Sequence, residues 1–507
     1  MAPMAYYNRN GNGGGYNRGG YQKPVQPQRN PVRLERDWSD LQRAIFREIQ
    51  EGTGNLQVDA LAGTGKTTTI VEGLYYIPSG KSALFCAFNK KIKEELETRS
   101  PSSVTVKTLN GLGRASVVRA FPNLQNPATL DEHKADSYIS AEKGHERETL
   151  ELRNNLKRAV SLAKGYLATT SEEIDEIMEK HEVETCEEPR DKFIATVIRV
   201  LQACKNDTSR IDFDDQIWFP LVHNLSMFQY DYVFIDESQD LNKAQIELAL
   251  RSVKPGGRVF SVGDEHQAIY GFRGADSNAI QNIVDRMQSK RLPLSVTYRC
   301  ARKIVEEAKM FVEAYEAGPG NKEGTVETTT PSKMLENVKP GDFILSRVNA
   351  PLLGYCFDLI KAGIPANVQG RDVGKGLSAL IKKSGASNVS DFLTWLQVWR
   401  EGECMRLSAR NKSIDLIVDK AECLEALCED CDSLASVNSK IDRIFTDTDD
   451  KNRVILSSTH KAKGLERERV WILRDTYKPG KTQEETNLLY VAITRAIGSL
   501  YYVRGSR

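Results

Sequence analysis

The chain has 507 residues, of which 40% are hydrophobic and 27% are charged. This length and composition suit two or three ordinary domains and exclude a wholly disordered chain. The net charge is +1, so overall charge alone does not indicate a polyanionic partner. Nine cysteines are irregularly spaced, and no apolar stretch reaches the ~18 residues of a membrane helix. We therefore expect a soluble intracellular protein with free thiols and no membrane partner.

The first 36 residues differ in composition from the rest of the chain. They are rich in Gly, Asn, Arg and Tyr and contain few apolar side chains. Such a segment buries too little apolar surface to offset its ordering entropy, so we predict a disordered tail. Its Arg and Tyr side chains suit weak binding to nucleic acid through charge and stacking. A solubilising linker without a specific partner is the alternative.

From Trp38 onward, short apolar runs alternate with helical patterns. Most of the runs lack polar alternation, which is typical of strands covered on both faces, and the fold class is therefore parallel α/β. The predicted strands are Leu56–Ala60, Ala83–Phe88, Tyr232–Ile235, Val259–Val262, Phe343–Ser346, Val454–Ser457, Val470–Leu473 and Leu500–Val503. Two stretches, 113–210 and 372–450, are mainly helical and charged, and we predict that they are inserted subdomains.

The strongest single motif joins the first predicted strand to a helix. It runs from Val58 to Thr67, and Ala60 stands where the general pattern has its first glycine. The N–H groups that surround the phosphates are expected to come from its small residues, Ala62, Gly63, Thr64 and Gly65. Lys66 is expected to contact the β- and γ-phosphates of ATP, and Thr67 to bind Mg²⁺.

Another predicted strand ends in acidic residues. Asp236 follows Tyr232–Ile235 directly and is suited to hold Mg²⁺, while the adjacent Glu237 can orient or deprotonate an attacking water. Together with the upstream loop, this pair predicts hydrolysis of a nucleotide rather than binding alone. The two motifs by themselves do not separate a motor from a kinase or a GTPase.

Further motifs indicate one class. The segment Val262-Gly-Asp-Glu-His-Gln-Ala-Ile-Tyr-Gly-Phe-Arg-Gly-Ala275 closely resembles motif III of the UvrD/Rep-type superfamily 1 helicases. The other motifs of that family are recognisable in their usual order: the Q motif at Ser39–Gln42, motif Ia at Ala87–Lys90, motif Ib at Thr108–Asn110, the element before motif II at Ile211–Asp215, motif IV at Leu294–Arg299, motif V at Ser458–Glu466 and motif VI at Leu489–Ala496. The matches extend over residues 39–496, so the chain is identified as a member of that family. Its short second insertion, of about 80 residues, resembles that of compact or divergent members.

The resemblance implies two RecA-like P-loop domains with ATP between them. The first core would comprise residues 37–112 and 211–290, and the second core residues 291–371 and 451–507. The stretch 113–210 would be a helical insertion of the first core, and 372–450 a short helical insertion of the second.

The resemblance also implies roles in the ATP site. Gln42 would read the adenine edge and Tyr298 would stack on its ring, while Glu466 would contact the nucleotide from the second core. Gln267 would sense the γ-phosphate. Arg299 and Arg495 would act as arginine fingers on the charge that develops during phosphoryl transfer.

One position in this site departs from the family. Thr68 stands where the family usually has an arginine that packs on the adenine, so one face of the base is expected to be less well held.

A strand of nucleic acid would lie across both cores. The residues expected to stack on bases are Phe88, Tyr270 and Phe272, the last at a position where the family usually has Trp. The residues expected to make polar or phosphate contacts are Asn89, Asn110, Arg273 and His460. For each aromatic residue, ordinary core packing is the alternative.

The leading hypothesis is an ATP- and Mg²⁺-dependent DNA helicase that moves 3′→5′ on single-stranded DNA and unwinds duplexes at junctions. One alternative is a translocase that displaces bound proteins with little unwinding, and another is a nucleic-acid-binding scaffold with a vestigial ATP site. RNA is a minority alternative to DNA. The cytoplasm or nucleoid of a prokaryotic or phage-infected cell is favoured, with a nucleus left open, and protein partners are not indicated.

Three cysteines form a separate candidate feature. Cys423, Cys428 and Cys431 have a spacing used by some iron–sulfur proteins, but a fourth ligand is missing and free thiols are favoured.

Overall fold

The computed structural model describes residues 36–144, 150–186, 188–271, 274–275, 278–409, 414–446 and 450–505. The predicted tail, apart from Arg36, lies outside the described residues. So do Phe272 and Arg273, which were predicted to contact nucleic acid. Two parallel sheets form the framework, and each is flanked by helices. The predicted fold class, α/β with two RecA-like domains, is confirmed.

The first sheet has six parallel strands in the spatial order third, second, fourth, fifth, first, sixth. The strands are β1 (Leu56–Ala60), β2 (Ala83–Ala87), β3 (Val104–Thr108), β4 (Tyr230–Ile235), β5 (Val253–Gly263) and β6 (Lys290–Leu294). Because β4, β5 and β1 are neighbours, the segments that follow them lie side by side at the carboxyl edge of the sheet. Ligands of open parallel sheets bind at this edge.

Some helices of this half cover the two faces of the sheet, and others form the first insertion. They are α1 (Asp40–Glu51), α2 (Lys66–Gly73), α3 (Lys90–Arg99), α4 (Leu109–Ala120), α5 (Lys134–Lys143), α6 (Leu150–Tyr166), α7 (Ser171–Lys180), α8 (Arg190–Asn206), α9 (Asp215–Val222), α10 (Lys243–Arg251) and α11 (Ala279–Met287). Helices α5–α8 enclose a hydrophobic core to which Val117 of α4 and Trp218 and Phe219 of α9 also contribute. This core is separate from those on the two faces of the sheet.

Two buried lysines fasten the first insertion to α9 and the turn before it. Lys134 Nζ lies 2.8 Å from Asp215 Oδ2, and Lys164 Nζ lies 2.8 Å from Asp215 Oδ1 and 2.6 Å from Asp212 Oδ2. Both lysine side chains are almost fully buried. A buried charge is tolerated only when it is paired, so this cluster depends on all four groups.

The second half contains a short parallel pair and a seven-stranded parallel sheet. The pair is β7 (Val296–Thr297) and β8 (Glu316–Ala317), and the sheet comprises β9 (Thr325–Thr329), β10 (Phe343–Ser346), β11 (Ala366–Gln369), β12 (Phe445–Thr446), β13 (Val454–Ser458), β14 (Arg467–Leu473) and β15 (Ala496–Val503). The spatial order is β12-β11-β13-β10-β14-β15-β9. The segments after β13 and β10 therefore emerge next to each other.

The helices of this half are α12 (Arg302–Lys309), α13 (Pro331–Asn337), α14 (Ala350–Lys361), α15 (Arg371–Ser384), α16 (Val389–Ser408), α17 (Asp415–Cys428), α18 (Leu434–Ile444), α19 (Thr459–Ala462) and α20 (Gln483–Ile493). Helices α15–α18 form the second helical stretch. Its Arg406 pairs with Glu184 and, at 2.8 Å, with Glu151, both of the first insertion. No helix in the described ranges is both long enough and apolar enough to cross a bilayer.

The domain boundaries stay predictions. Helix α4 begins at Leu109 and packs against α9 and α10, so it crosses the predicted start of the first insertion at residue 113. Helix α15 begins at Arg371, one residue before the predicted start of the second insertion.

Candidate nucleotide site and nucleic-acid surface

The loop between β1 and α2 needs glycine at two positions with left-handed backbone. The φ angle is +67° at Gly63 and +81° at Gly65. A Cβ atom at Gly63 would lie 2.6 Å from both Arg299 Cβ and Thr297 Oγ1, so the close approach of a neighbouring segment also excludes a side chain. This turn places Lys66 at the first position of α2.

The Lys66 ammonium is buried at the end of this loop. Its Nζ lies 3.9 Å from Glu237 Oε2, and within the described part of the chain it has no hydrogen-bond partner. A buried ammonium without hydrogen bonds is costly, and a phosphate held by the surrounding loop would satisfy it. The loop and Lys66 therefore fit the triphosphate of ATP.

The carboxylates of Asp236 and Glu237 lie at the end of β4, across β5 from the loop. Burial and the charge of Glu237 raise the pKa of Asp236, while Lys66 and a hydrogen bond with Thr67 act in the opposite direction. A hydroxyl and a carboxylate in contact beside a phosphate loop are the donor set that Mg²⁺ takes in such sites. Thr67 and Asp236 therefore fit the predicted metal site.

Glu237 is held in its ionised form by several positive charges. Burial by itself would raise its pKa, but the charges of Lys66 and Lys463, a hydrogen bond from Gln239 and the charge of Arg495 outweigh that effect and lower it. Two of these cations, Lys463 and Arg495, belong to the second core. The carboxylate is thus surrounded by groups from both halves of the molecule.

A chain of hydrogen bonds connects Glu237 with the predicted sensor Gln267. Gln239 Nε2 donates to Glu237 Oε2, Asp264 N donates to Gln239 Oε1 at 3.0 Å, and Gln267 Nε2 donates to Asp264 Oδ2 at 2.6 Å. Gln267 is buried, with 6% of its surface exposed. The segments after β4 and β5 are therefore joined into one polar network.

The predicted arginine fingers both lie in the cleft but differ in their partners. Arg495 is 2% exposed, and its Nε donates to Val491 O at 3.0 Å. Burial and the nearby Arg299 lower the pKa of Arg495 to about 10, so it remains charged near neutral pH. Arg299 forms a close ion pair with Glu466. Glu466 is thus in contact with a predicted finger.

Two tyrosine hydroxyls from the second half hold the phosphate loop. Ala62 N donates to Tyr490 Oη at 3.3 Å, and Tyr315 Oη donates to Ala62 O at 2.8 Å. Tyr298 N donates to Gly63 O at 3.1 Å, so the predicted adenine-stacking residue is attached to the same loop. The Tyr298 side chain is 51% exposed and free to offer a ring face.

The Q-motif glutamine is engaged in its own core. Gln42 Nε2 donates to Thr69 Oγ1 at 2.9 Å, and Gln42 Oε1 accepts from Ser39 N at 3.1 Å within the capping box of α1. Thr68, which replaces the usual arginine, accepts a hydrogen bond from Arg99 at 3.4 Å. The structure thus places Gln42 beside the phosphate helix but does not test its contact with adenine.

On the first core, the residues that were predicted to contact nucleic acid follow β2 and β3. Phe88 is 42% exposed, so core packing does not account for it. The Asn89 side chain caps α3 by accepting from Ile92 N at 2.9 Å. Asn110 Nδ2 donates to Phe213 O at 3.0 Å.

Phe213 is a further candidate for contact with nucleic acid, because it is 48% exposed beside Asn110. It was not predicted from the sequence. An aromatic residue between acidic ones in Ile211–Asp215 was the available signal.

On the second core, the candidates lie after β13 and β10. Tyr270 Oη donates to His460 O at 3.1 Å, which joins motif III to motif V. Arg347, directly after β10, is a second missed candidate, because it places a guanidinium at the same carboxyl edge as His460. In this structure it pairs with Glu485 at 2.8 Å. Phe272 and Arg273 lie outside the described residues.

The cysteine cluster does not assemble as a metal site in the described residues, where no three His, Cys, Asp or Glu side chains converge on one point. Cys423 and Cys428 are buried on α17, and burial raises the pKa of the Cys428 thiol to about 11.

Two family models match the chain. The model of the UvrD/REP helicase N-terminal domain matches residues 40–288, and that of the UvrD-like helicase C-terminal domain matches residues 386–504.

Individual relatives agree with these matches. F-box DNA helicase protein 1 of Schizosaccharomyces pombe is 24% identical over 90% of this chain and 56% of its own length. F-box DNA helicase 1 of Gallus gallus is 25% identical over 90% of this chain and 48% of its own length. ATP-dependent DNA helicase PcrA of Staphylococcus aureus is 26% identical over 52% of this chain and 39% of its own length. The chain thus spans about half the length of the curated relatives that it matches over most of its length.

Proposed function

This chain belongs to the UvrD/Rep helicase family, and from that premise we propose that it hydrolyses ATP to move along single-stranded DNA and separate duplexes. The observation that carries the proposal is the environment of Glu237. Its carboxylate is stabilised by Lys66 of the first core and by Lys463 and Arg495 of the second. A cleft in which both cores act on one catalytic group makes hydrolysis depend on their relative position.

In this mechanism Lys66 binds the β- and γ-phosphates and Glu237 orients and deprotonates the attacking water. Thr67 and Asp236 would hold Mg²⁺, which would supply positive charge beside the phosphate oxygens. Arg495 and Arg299 stabilise the charge of the transition state. For Arg299 this requires exchanging Glu466 for phosphate, so ATP binding and rearrangement of that ion pair are coupled.

We propose that the strand runs over the carboxyl edges of both sheets. Phe88 and Phe213 offer exposed rings on the first core, and Tyr270 offers a ring at the junction. Asn110, His460 and Arg347 supply polar or cationic contacts. Stacking on aromatic residues is worth about 1–3 kcal/mol per base and tolerates any sequence, as a motor requires.

The deciding experiment measures ATP hydrolysis with and without single-stranded DNA or RNA of equal length. We expect DNA to stimulate hydrolysis, and Lys66→Ala to abolish both the basal and the stimulated rates. Lys361→Ala is the matched control, because that lysine is 68% exposed at the end of α14 and pairs only loosely with Asp430. A Lys66→Ala variant that retains strand-stimulated hydrolysis refutes the proposal. Stimulation by RNA but not by DNA would show that the protein moves along RNA.

We further propose 3′→5′ movement, the direction that the family resemblance implies. Duplexes with a 3′ single-stranded tail should be unwound in preference to those with a 5′ tail. The opposite preference contradicts the direction. Efficient displacement of a strand-bound protein without strand separation would instead identify a translocase.

We propose that the protein acts on DNA inside the cell. The curated relatives come from a yeast, a bird and a bacterium, so a preference for a prokaryotic cell stays a prediction.

A further inference from the structure

The turn that carries Gln267 is held through its backbone by side chains of the second core. Asn487 Nδ2, on α20, donates to Glu265 O at 3.1 Å and to Ala268 O at 3.0 Å. Lys463 Nζ donates to Gln267 O at 2.7 Å. Three carbonyls of one short turn therefore accept hydrogen bonds from the opposite half of the molecule.

The contact between α20 and this turn is buried. Asn487 is 4% exposed, and Leu488 and Val491 of the same helix form a fully buried cluster with Ile269. Lys463 also lies 2.6 Å from Asp240, and both of those side chains are almost completely buried. Because the Asn487 and Lys463 side chains are buried, water is not available to replace these carbonyls as their partners. Glu265 O also accepts from Ala268 N at 3.2 Å.

The amide of Asn487 has a fixed orientation. Gln483 Nε2, one turn earlier on α20, donates to Asn487 Oδ1 at 2.9 Å. This hydrogen bond directs the two N–H groups of Asn487 toward the carbonyls of Glu265 and Ala268. An amide has two such donors, and both are used.

The mechanical consequence follows from the stiffness of the turn. Glu265–Gln267 is a 3-10 turn, and the Gln267 side chain is bonded to Asp264 in the network that leads to Glu237. A hydrogen bond weakens steeply when its donor moves by much more than a few tenths of an ångström. A shift of α20 against the first core must therefore move this turn or break its bonds.

We infer that Asn487 is a positioning residue that sets the place of Gln267 according to the position of the second core, with Gln483 orienting its amide. This inference rests on the proposed function and adds to it a named link between movement of the cores and hydrolysis. Asn487 acts through Gln267 and does not contact the nucleotide.

The test compares Asn487→Ala with wild type in strand-stimulated ATP hydrolysis. The stimulated kcat should fall about tenfold or more, as expected for loss of two buried hydrogen bonds, while KM for ATP changes less than about threefold. The dissociation constant for single-stranded DNA should remain near the wild-type value. The thermal unfolding midpoint should fall with the loss of two buried hydrogen bonds but stay above the assay temperature. Gln483→Ala, at an exposed position where folding is not at risk, should lower kcat by a smaller factor in the same direction.

Asn337→Ala is the matched control, because that exposed asparagine donates only within its own helix, to Lys333 O at 2.8 Å. It should keep the wild-type kcat. The inference is overturned if Asn487→Ala and Gln483→Ala both keep the stimulated kcat. It is also overturned if kcat falls only in proportion to a loss of strand affinity or thermal stability. Absence of strand-stimulated hydrolysis in the wild type would instead refute the proposed function, so the two failures are distinguishable.

Discussion

At Gly63 the phosphate loop passes within contact distance of the segment that carries Arg299. The residue has a φ angle of +67°, and a Cβ there would meet Arg299 Cβ and Thr297 Oγ1 at 2.6 Å. Because neither of these neighbours is a flexible side-chain end, a methyl group must displace the loop or the finger segment. A substitution at Gly63 therefore tests how closely the phosphate loop packs against the segment that carries Arg299.

We predict that Gly63→Ala destabilises the protein by about 1–3 kcal/mol beyond the cost of left-handed backbone alone. Gly80→Ala provides that reference, since Gly80 has a φ angle of +83° and nothing within 4 Å of the added Cβ. Urea denaturation of both variants measures the difference. Equal destabilisation of the two would mean that the contact at Gly63 has no energetic consequence.

Residues whose role depends on local pattern were accessible from the sequence. Lys66 and Asp236 belong to motifs in which neighbouring residues define the chemistry, and the structure brings them to one cleft. Asn487 and Arg347 were not accessible, because their contacts arise from packing of segments far apart in the chain. Asn487 meets carbonyls more than 200 positions earlier, and no local pattern encodes that meeting.

At the scale of elements, the turn before α9 and the helix itself explain why an acidic segment precedes β4. Asp212 and Asp215 neutralise Lys134 of α5 and Lys164 of α6, and all four groups are buried. Lys134 also donates to two backbone carbonyls, and each ammonium lies over an aromatic ring, at 4.5 Å for Lys134 and 5.4 Å for Lys164. The segment therefore anchors the first insertion as well as presenting Phe213.

We predict that Asp215→Asn lowers the free energy of unfolding by about 3–5 kcal/mol, because it leaves two buried ammonium groups with a single carboxylate. Asp131→Asn is the control, since its pair with Arg210 is about one-third exposed and should cost about 1 kcal/mol or less. Denaturant titration compares them. A loss at Asp215 no larger than at Asp131 would contradict a pairing role for the cluster.

His181 should make the first insertion sensitive to acid. Burial, followed by the charges of Lys180 and Arg158, lowers the pKa of His181 to about 4, below its ordinary value of 6.5. The unfolded chain then binds the proton first, so stability is full above pH 6.5 and falls as the pH drops toward 4. Between pH 7 and 5 we expect a loss of about 1–2 kcal/mol.

The measurement is the free energy of unfolding at a series of pH values for wild type and His181→Gln. Glutamine does not titrate, so the part of the pH dependence due to His181 should disappear in the variant. Parallel pH profiles for the two proteins would exclude this histidine as the cause.

The strands were predictable where burial was complete and not where it was partial. Phe343–Ser346 has the predicted bounds because its apolar run is covered on both faces. Leu56–Ala60 also has the predicted bounds although Gln57 and Asp59 interrupt it, because the phosphate-loop motif that follows marks its end. Strand β6, Lys290–Leu294, was missed because an edge position tolerates its basic residues and Pro293. Strand β11 was missed because Asn367 and Gln369 interrupt its apolar pattern although they are buried.

At the scale of the whole molecule, the two helical insertions touch each other as well as their own cores. Arg406 of α16 reaches Glu151 and Glu184 of the first insertion while also pairing with Glu403 at 2.7 Å. One guanidinium shared by three carboxylates is a network rather than an isolated surface pair. Its loss should free the insertions from each other without unfolding either.

We predict that Arg406→Ala increases hydrogen–deuterium exchange in the segments around Glu184 and α16, and that high salt has the same effect in the wild type. Arg400→Ala is the control, because Arg400 pairs at 3.2 Å with Glu425 inside the same insertion. Exchange near Glu184 should be unchanged in this variant. Equal exchange in Arg406→Ala and wild type would show that the insertions are held together by other contacts.

Two tyrosine hydroxyls that bond to the backbone of Ala62 favour one way of opening the cleft. Its N–H and its carbonyl are both bonded to tyrosines of the second half, Tyr490 and Tyr315. Pulling the lobes straight apart would break both bonds, whereas swinging them about an axis through this peptide preserves both. The lobes should therefore rotate about an axis near Ala62. The displacement of a bound strand should grow with its distance from that axis.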